Sequence, residues 1–252
     1  MVEADVRAAL AAYARGILGP MLARLGWEPL AGESERTPTL RSQLIAALGT
    51  VGEDDEVLAR ARELFEASVA GGAGLPPDLA TAVLSVVAVA GGAREHEVFV
   101  ERYRSASTPQ EELRYLMALA AFRRPELGAA TFTMARTEVR TQNAPMLVHA
   151  LLANRDCGEQ SWAQLVEHWD EVVERIPVNT APRMLEGVRF LCRDAALAES
   201  VASFVAAHPL AVGQRTVEQA VERMFVNVGF AARMRDEAGA ALAAGTARLG
   251  GA

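Results

Sequence analysis

Apolar residues recur at intervals of three and four positions through most of the chain. Between residues 57 and 65, for example, Val57, Leu58, Ala61, Leu64 and Phe65 are apolar. This spacing places side chains on one face of a helix and so predicts a half-buried α-helix. The apolar run 84–90 has the length of a buried strand, but it has no partner run, so we interpret it as a buried helix.

Capping residues mark where these helices begin. Thr37 is predicted as an N-cap with Pro38 in the first helical position. Residues 108–111 form a predicted capping box, in which Thr108 caps the helix and Glu111 reaches back. Residues 161–164 form a second predicted capping box, at or near the start of a helix that ends before residue 177. A further helix is predicted to begin at Asp194 or its neighbour.

The predicted helices fall into pairs of regular length. The first helices of successive pairs begin near positions 39, 77, 109, 143, 180 and 213, a period of roughly 32–38 residues. Such a period is typical of an α-solenoid. The tetratricopeptide and ankyrin sequence patterns are absent from the chain. We therefore predict an all-α, HEAT-like solenoid of about six helical hairpins, forming a single domain over residues 1–252.

Composition supports the all-α prediction and removes several activities. Of the 252 residues, 51% are apolar but only 6% aromatic, and Ala alone supplies 49. The chain has no Lys, so neither Schiff-base chemistry nor a Walker-type phosphate loop is available to it. Its net charge of -7 is unsuited to binding nucleic acid.

The cellular location is predicted from the cysteines and the hydropathy pattern. Cys157 and Cys192 have no companion Cys or His at ligand spacing, so buried thiols are favoured over a disulfide or a zinc pair. The longest uncharged run, 79–93, is shorter than the roughly 20 residues of a membrane span. Acidic Glu3 and Asp5 argue against a signal peptide. We predict a cytoplasmic protein with no membrane partner.

Residues for catalysis are not evident in the sequence. His96-Glu97 begins like the zinc motif H-E-x-x-H, but the second histidine position is Val100, so His96 is interpreted as a solvated or capping residue. Neither a G-x-S-x-G elbow nor a G-x-G-x-x-G loop occurs. Trp162 and Trp169 share one helix face and are predicted to pack between neighbouring hairpins.

One turn stands out because it is polar between two apolar helices. It contains Arg140, Thr141, Gln142 and Asn143. One interpretation is a helix cap with a solvated turn, and the other is a polar site lining a concave surface. On the second interpretation Arg140, Gln142 and Asn143 are the candidate site residues, and Arg140 would meet a peptide carboxylate with two hydrogen bonds.

Ordered motifs along nearly the whole chain resemble one family. Its motifs match L-G-W-E-P at 25–29, L-R-S at 40–42, A-L-G at 47–49, A-R-x-x-F at 61–65, R-x-Q-N at 140–143 (the family usually has Asp last), two tryptophans at 162 and 169 followed by Asp170, F-x-x-x-H-P at 204–209, and Q-A-x-E-R-x-x-x-N at 219–227. The chain resembles the C-terminal helical domain of zinc aminopeptidases of the aminopeptidase N and puromycin-sensitive type.

The resemblance implies part of an enzyme. In that family the catalytic domain lies upstream and carries the zinc site, so no cofactor and no catalytic residue is expected in this chain. The C-terminal domain encloses the substrate chamber and limits peptide access. The implied partners are therefore the upstream domain of the same polypeptide and a peptide substrate. The chain would lack the family domain's first helices, and the helix 6–18 is expected to expose an apolar face that supports a dimer.

Two other functions remain open at this point. One is a free-standing helical-repeat scaffold that binds a protein partner on its concave face. The other is a stand-alone hydrolase with an unrecognised site.

Overall fold

The structure is a computed structural model that describes residues 4–30, 32–71 and 74–250. Within these ranges the chain is helical and contains no strand, which confirms the all-α prediction. The helices are Ala4–Leu25 (α1), Thr37–Thr50 (α2), Asp55–Val69 (α3), Pro77–Ala90 (α4), Ala93–Arg104 (α5), Pro109–Leu119 (α6), Pro125–Thr137 (α7), Ala144–Ala153 (α8), Gly158–Glu167 (α9), Trp169–Arg175 (α10), Ala181–Leu185 (α11), the 3-10 helix Glu186–Phe190, Ala195–Ala207 (α12) and Gln214–Gly250 (α13).

Side-chain caps begin three helices, and two of these caps, Thr108 and Asp194, lie where the sequence predicts them. The carboxylate of Asp54 accepts a hydrogen bond from the Val57 amide at 3.0 Å, at the start of α3. The carboxylate of Asp194 begins α12 in the same way. The hydroxyl of Thr108 accepts from the amide of Glu111 at 3.2 Å. Each bond satisfies an amide that has no partner inside its helix.

Other predicted caps are wrong. Helix α2 begins at Thr37 itself, and its N-cap is Arg36, which makes no side-chain cap bond. Glu111 reaches back to the amide of Ser107, at 3.0 Å, one residue before the cap.

The second predicted capping box is wrong for a physical reason. Ser161 lies inside α9, which begins at Gly158. The side-chain oxygen of Asn154 accepts from the amides of Asp156 and Cys157 at 2.9 and 3.1 Å, so the turn is already capped and the helix starts earlier. The helix predicted to continue to residue 177 also breaks at His168, between α9 and α10.

The chain divides into two compact units. Unit 1 contains α1 to α4 and α13 from Met234 onward, and unit 2 contains α5 to α12 and α13 up to Arg233. The single domain predicted over residues 1–252 stays a prediction.

In unit 1, α2 packs against α1, α3 and α4. A Cβ at Gly49 would lie 2.4 Å from Cγ2 of Val86, so α2 and α4 approach too closely there for any larger residue. The last part of α13 lies against α1, where Gly245 adjoins Tyr13. Leu10 and Ile17 of α1 are 41% and 38% exposed, so only part of the apolar face predicted for this helix is open.

Unit 2 is built in two layers of hairpin helices. In one layer α6 packs against α8, and α8 packs against α11 and the 3-10 helix; in the other, α7 packs against α9. Polar contacts join residues that lie one repeat apart in the sequence. The Arg104–Glu138 ion pair, the Arg123–Asp156 ion pair and the bond from Asn154 to the carbonyl of Ala120 span 34, 33 and 34 residues. These separations agree with the predicted repeat period.

Aromatic side chains join neighbouring hairpins within unit 2. The rings of Trp162 and Trp169 both meet Phe204 of α12 edge to face, at centroid distances of 5.5 and 5.3 Å. Phe204 in turn stacks on His208 at 4.0 Å. The two tryptophans are 6% and 7% exposed, which confirms that they are core residues.

Candidate functional site

The turn that contains the candidate site residues connects α7 to α8 in unit 2. The carbonyl of Arg140 accepts from the amides of Asn143 and Ala144, at 2.8 and 3.0 Å. The carbonyl of Asn143 accepts from the amides of Met146 and Leu147 in α8, both at 3.1 Å, while its carboxamide makes no cap bond. Asn143 therefore begins the helix through its backbone.

Charged side chains surround this turn. The guanidinium of Arg140 is 63% exposed and lies 3.2 Å from the carboxylate of Glu112 on α6. Beside it, Arg104 of α5 pairs with Glu138 at 2.6 Å. Burial raises the pKa of the nearby Tyr103 phenol, and the negative charge of Glu112 raises it further.

The three candidate residues do not have equivalent environments. Arg140 and Gln142 are exposed, and Asn143 is half-buried. The sequence analysis missed Glu112 and Glu138, which supply the opposite charges. A signal was available for Glu138 alone, because it lies one repeat, 34 residues, from its partner Arg104. A peptide carboxylate bound by Arg140 would have to compete with Glu112.

A groove in unit 1 is a second concave feature. Its volume is about 330 Å³, and it is lined by Trp27, Pro29, Pro38, Arg41, Ser42, Pro76, Pro77, Asp78 and Leu79. The Ser42 hydroxyl donates to the carbonyl of Asp78 at 2.7 Å. The groove thus combines an apolar wall of proline and tryptophan rings with polar groups that already have protein partners.

Arg41 holds the base of this groove together. Its side chain is 4% exposed and lies 2.7 Å from the carboxylate of Glu33. Its Nε atom donates to the carbonyl of Gly26 at 3.0 Å, and Nη2 to that of Leu25 at 3.4 Å. Hydrogen bonding to Glu33 raises the pKa of Arg41, and the same bond lowers the pKa of Glu33. Arg41 therefore satisfies carbonyls at the end of α1, which is a structural role.

His96 is a core residue, so the interpretation as a solvated or capping histidine is wrong. It is 6% exposed, its Nε2 atom lies 2.9 Å from Oγ1 of Thr131, and its ring meets Phe122 edge to face at 5.1 Å. Burial lowers its pKa. Within 4–30, 32–71 and 74–250, no three His, Cys, Asp or Glu residues are grouped as they would be to hold a metal ion.

Both cysteines are free thiols, as predicted. Cys157 is buried, and burial raises its pKa to about 11. Burial also raises the pKa of the half-buried Cys192. A thiol with a raised pKa is a poor nucleophile at neutral pH, because the thiolate is the reactive form.

In the part of the chain that the structure describes, no helix is both long enough and apolar enough to cross a bilayer.

The described residues form an all-α arrangement of helical hairpins, and in unit 2 the hairpins are joined by polar and aromatic contacts. A family model described as the ERAP1-like C-terminal domain matches residues 1–224. The chain therefore belongs to this family, the C-terminal domain of M1 aminopeptidases. The resemblance identified from the motifs is confirmed.

Similar proteins are much longer than this chain. Aminopeptidase 2 of Candida albicans is 28% identical over 172 residues, which is 67% of this chain and 18% of that protein. Aminopeptidase M1-C of Oryza sativa subsp. japonica is 25% identical over 233 residues, 88% of this chain and 26% of that protein. Aminopeptidase M1 of Arabidopsis thaliana is 27% identical over 221 residues, 85% and 25% respectively. The chain thus spans about a quarter or less of the relatives it matches.

Proposed function

We propose that this chain is the non-catalytic C-terminal domain of a zinc aminopeptidase, and that it encloses the substrate chamber and limits the access of peptides. The observation that carries this proposal is the family match over residues 1–224. The zinc and the catalytic residues belong to an upstream domain of the same polypeptide. The free thiols fit a reducing compartment, and we place the protein in the cytoplasm.

The mechanistic role is confinement. A wall around the chamber holds a peptide near the catalytic site and restricts its possible orientations, which lowers the entropic cost of reaching the transition state. Arg140, Gln142 and Asn143 form the polar part of this wall. Because Arg140 is exposed and its ion pair with Glu112 lies in a high-dielectric setting, exchange of Glu112 for a peptide carboxylate costs little.

The substitution Arg140→Gln tests this role in the longer enzyme. The expected result is a higher KM for peptides with a free C-terminal carboxylate and an unchanged kcat/KM for a single-residue amide. The matched control is Arg60→Gln on α3, which also removes an exposed arginine from an ion pair, here 3.1 Å from Glu63. Equal effects of the two substitutions on peptide KM would contradict the role of Arg140.

An assay of the isolated chain tests the non-catalytic assignment separately. The chain alone, with or without added zinc, is expected to release no amino acid from peptides. Turnover that a chelator abolishes would show that this chain is itself a peptidase.

A further inference from the structure

Helix α13 has an unusual second apolar side within unit 2. One side is buried, with Val217, Ala220 and Met224 only 2%, 5% and 0% exposed. The opposite side carries Phe225 and Val226, which are 40% and 55% exposed, and Phe230, which is 55% exposed. Two phenylalanines and a valine facing solvent within six residues form an apolar patch that is uncommon on a protein surface.

The residues around this patch have a definite order. Glu222, Phe225, Val226, Gly229, Phe230 and Arg233 recur at spacings of one helical turn, so they share the outer side of α13. We call this set the α13 stripe. Its two ends carry opposite charges, and both charged residues are exposed.

The α13 stripe is complementary to a second copy of itself that runs in the opposite direction. Turning the helix end over end about the point between residues 227 and 228 exchanges Glu222 with Arg233, and Phe225 with Phe230. The same operation exchanges Val226 with Gly229. A Cβ at Gly229 would have a guanidinium nitrogen of Arg233 at 3.5 Å, the end of a flexible side chain, so a neighbouring side chain fits above this glycine when the guanidinium turns toward a partner carboxylate.

We propose that two copies of this chain associate through the α13 stripe, with the two helices antiparallel. A two-fold symmetric interface uses the same patch on both copies, so the patch must complement itself. In the antiparallel arrangement each Glu222 faces the Arg233 of the other copy, the phenylalanines pack against one another, and Val226 fits over Gly229. The charge order is what selects a second copy, since a parallel pair would place like charges together.

The contact is short. The stripe covers 12 residues, from 222 to 233, or about 17 Å of helix axis. Outside it, Glu218 and Glu237 are both exposed and would repel each other in the same register, so the favourable contact is limited to the stripe. A contact of this length gives a dimer that forms and dissociates with concentration. The stripe shares no residue with the face of α1 that the sequence predicted as a dimer surface.

Reversing the charge at either end of the α13 stripe tests the antiparallel dimer most sharply. Sedimentation of the 252-residue chain over a range of concentrations is expected to show a monomer–dimer equilibrium. Glu222→Arg and Arg233→Glu should each raise the dimer Kd about tenfold, because every ion pair becomes a repulsion. An equal mixture of the two variants should dimerise as well as the original chain. In a mixed pair, the stripe with two basic ends faces the stripe with two acidic ends, so both contacts are attractive again.

An apolar pair of variants supplies the control. Val226→Ser should weaken the dimer, whereas Val178→Ser, at an equally exposed valine elsewhere in unit 2 (57%), should leave it unchanged. All four positions are exposed, so the unfolding midpoints are expected to stay the same. A chain that is monomeric at all concentrations, single charge variants that dimerise normally, or a mixture that fails to recover would each overturn the proposal. So would loss of the dimer on Leu10→Ser together with Ile17→Ser in α1.

Discussion

The Nε2 atom of His96 lies 2.9 Å from the hydroxyl oxygen of Thr131, and this pair joins α5 to α7. The same hydroxyl lies 2.9 Å from the carbonyl of Leu127, which can only accept its proton. The Nε2–H of a neutral imidazole must therefore donate to Thr131. The bond thus selects the Nε2–H tautomer, and burial, which lowers the pKa of His96, favours the uncharged ring.

Unit 2 is expected to lose stability when His96 must take a proton. Burial lowers the pKa of His96 below its ordinary value, so the unfolded chain binds the proton more readily than the folded chain. The contribution of His96 to the free energy of unfolding is fully present above the pKa of the unfolded state. It is lost as the pH falls from there through the pKa of the folded state. Urea unfolding measured between pH 7.5 and 5 gives this slope.

The variant His96→Phe isolates this histidine from the other titrating groups. Its unfolding free energy should decline less between pH 7.5 and 5 than that of the original chain. At pH 7.5 it should be lower by about 1 kcal/mol, because Thr131 keeps its bond to Leu127 and loses one bond. A variant with the same pH slope as the original chain would show that His96 contributes nothing to it.

Asn154 is predicted to matter more than Asn143, although both lie at helix starts. The side chain of Asn154 donates to the carbonyls of Ala120 and Phe122, both at 2.8 Å, and accepts from two amides. Asn154→Ala should lower the unfolding free energy by about 2–4 kcal/mol, since each lost bond is worth roughly 1 kcal/mol. Asn143→Ala, the matched control, should change it by under about 0.5 kcal/mol, because its side chain caps nothing. Equal losses for the two variants would contradict the role of the Asn154 side chain in joining neighbouring hairpins.

Gly49→Ala should destabilise unit 1 by about 1–3 kcal/mol, because the new methyl group would overlap the Val86 side chain. Adding Val86→Ala should recover part of this loss, so the double variant is more stable than the sum of the single effects predicts. Gly19→Ala in α1 is the control, since nothing lies within 4 Å of its new methyl group, and it should be neutral or stabilising. Additive effects of the two substitutions would contradict the contact between α2 and α4.

Cys157 should resist alkylation in the folded chain. It is buried, and its pKa of about 11 leaves almost no thiolate at pH 8. In a Cys192→Ser variant, labelling by iodoacetamide at pH 8 should therefore follow unfolding, rising steeply across the urea transition. Rapid labelling without urea would place the thiol at the surface.

The helices could be predicted from the sequence because the patterns that indicate them involve residues close together along the chain. Helix periodicity and capping residues such as Thr108 and Asp194 act within a few positions, so the helices and their spacing followed from them. The predicted cap at Ser161 is wrong because the carboxamide of Asn154 accepts from the amide of Cys157, three residues later, and so caps the turn before Ser161. Local competition of this kind is decided by geometry that residue type alone does not contain.

The partners of the candidate site needed the three-dimensional structure. Arg140 meets Glu112 on another helix, a contact that no local pattern indicates. His96 is a different case, since it stands three residues before the buried Phe99 on α5 and so shares its core face. That three-residue spacing is visible in the sequence and is typical of a helix's buried face.

The central claim is that this chain is the C-terminal domain of an aminopeptidase, and the reading frame upstream of the codon for Met1 tests it most directly. Sequencing of the genomic DNA or the transcript is expected to show an open frame that runs into this chain and encodes an H-E-x-x-H helix. An in-frame stop codon immediately upstream, with no peptidase sequence nearby, would contradict the account.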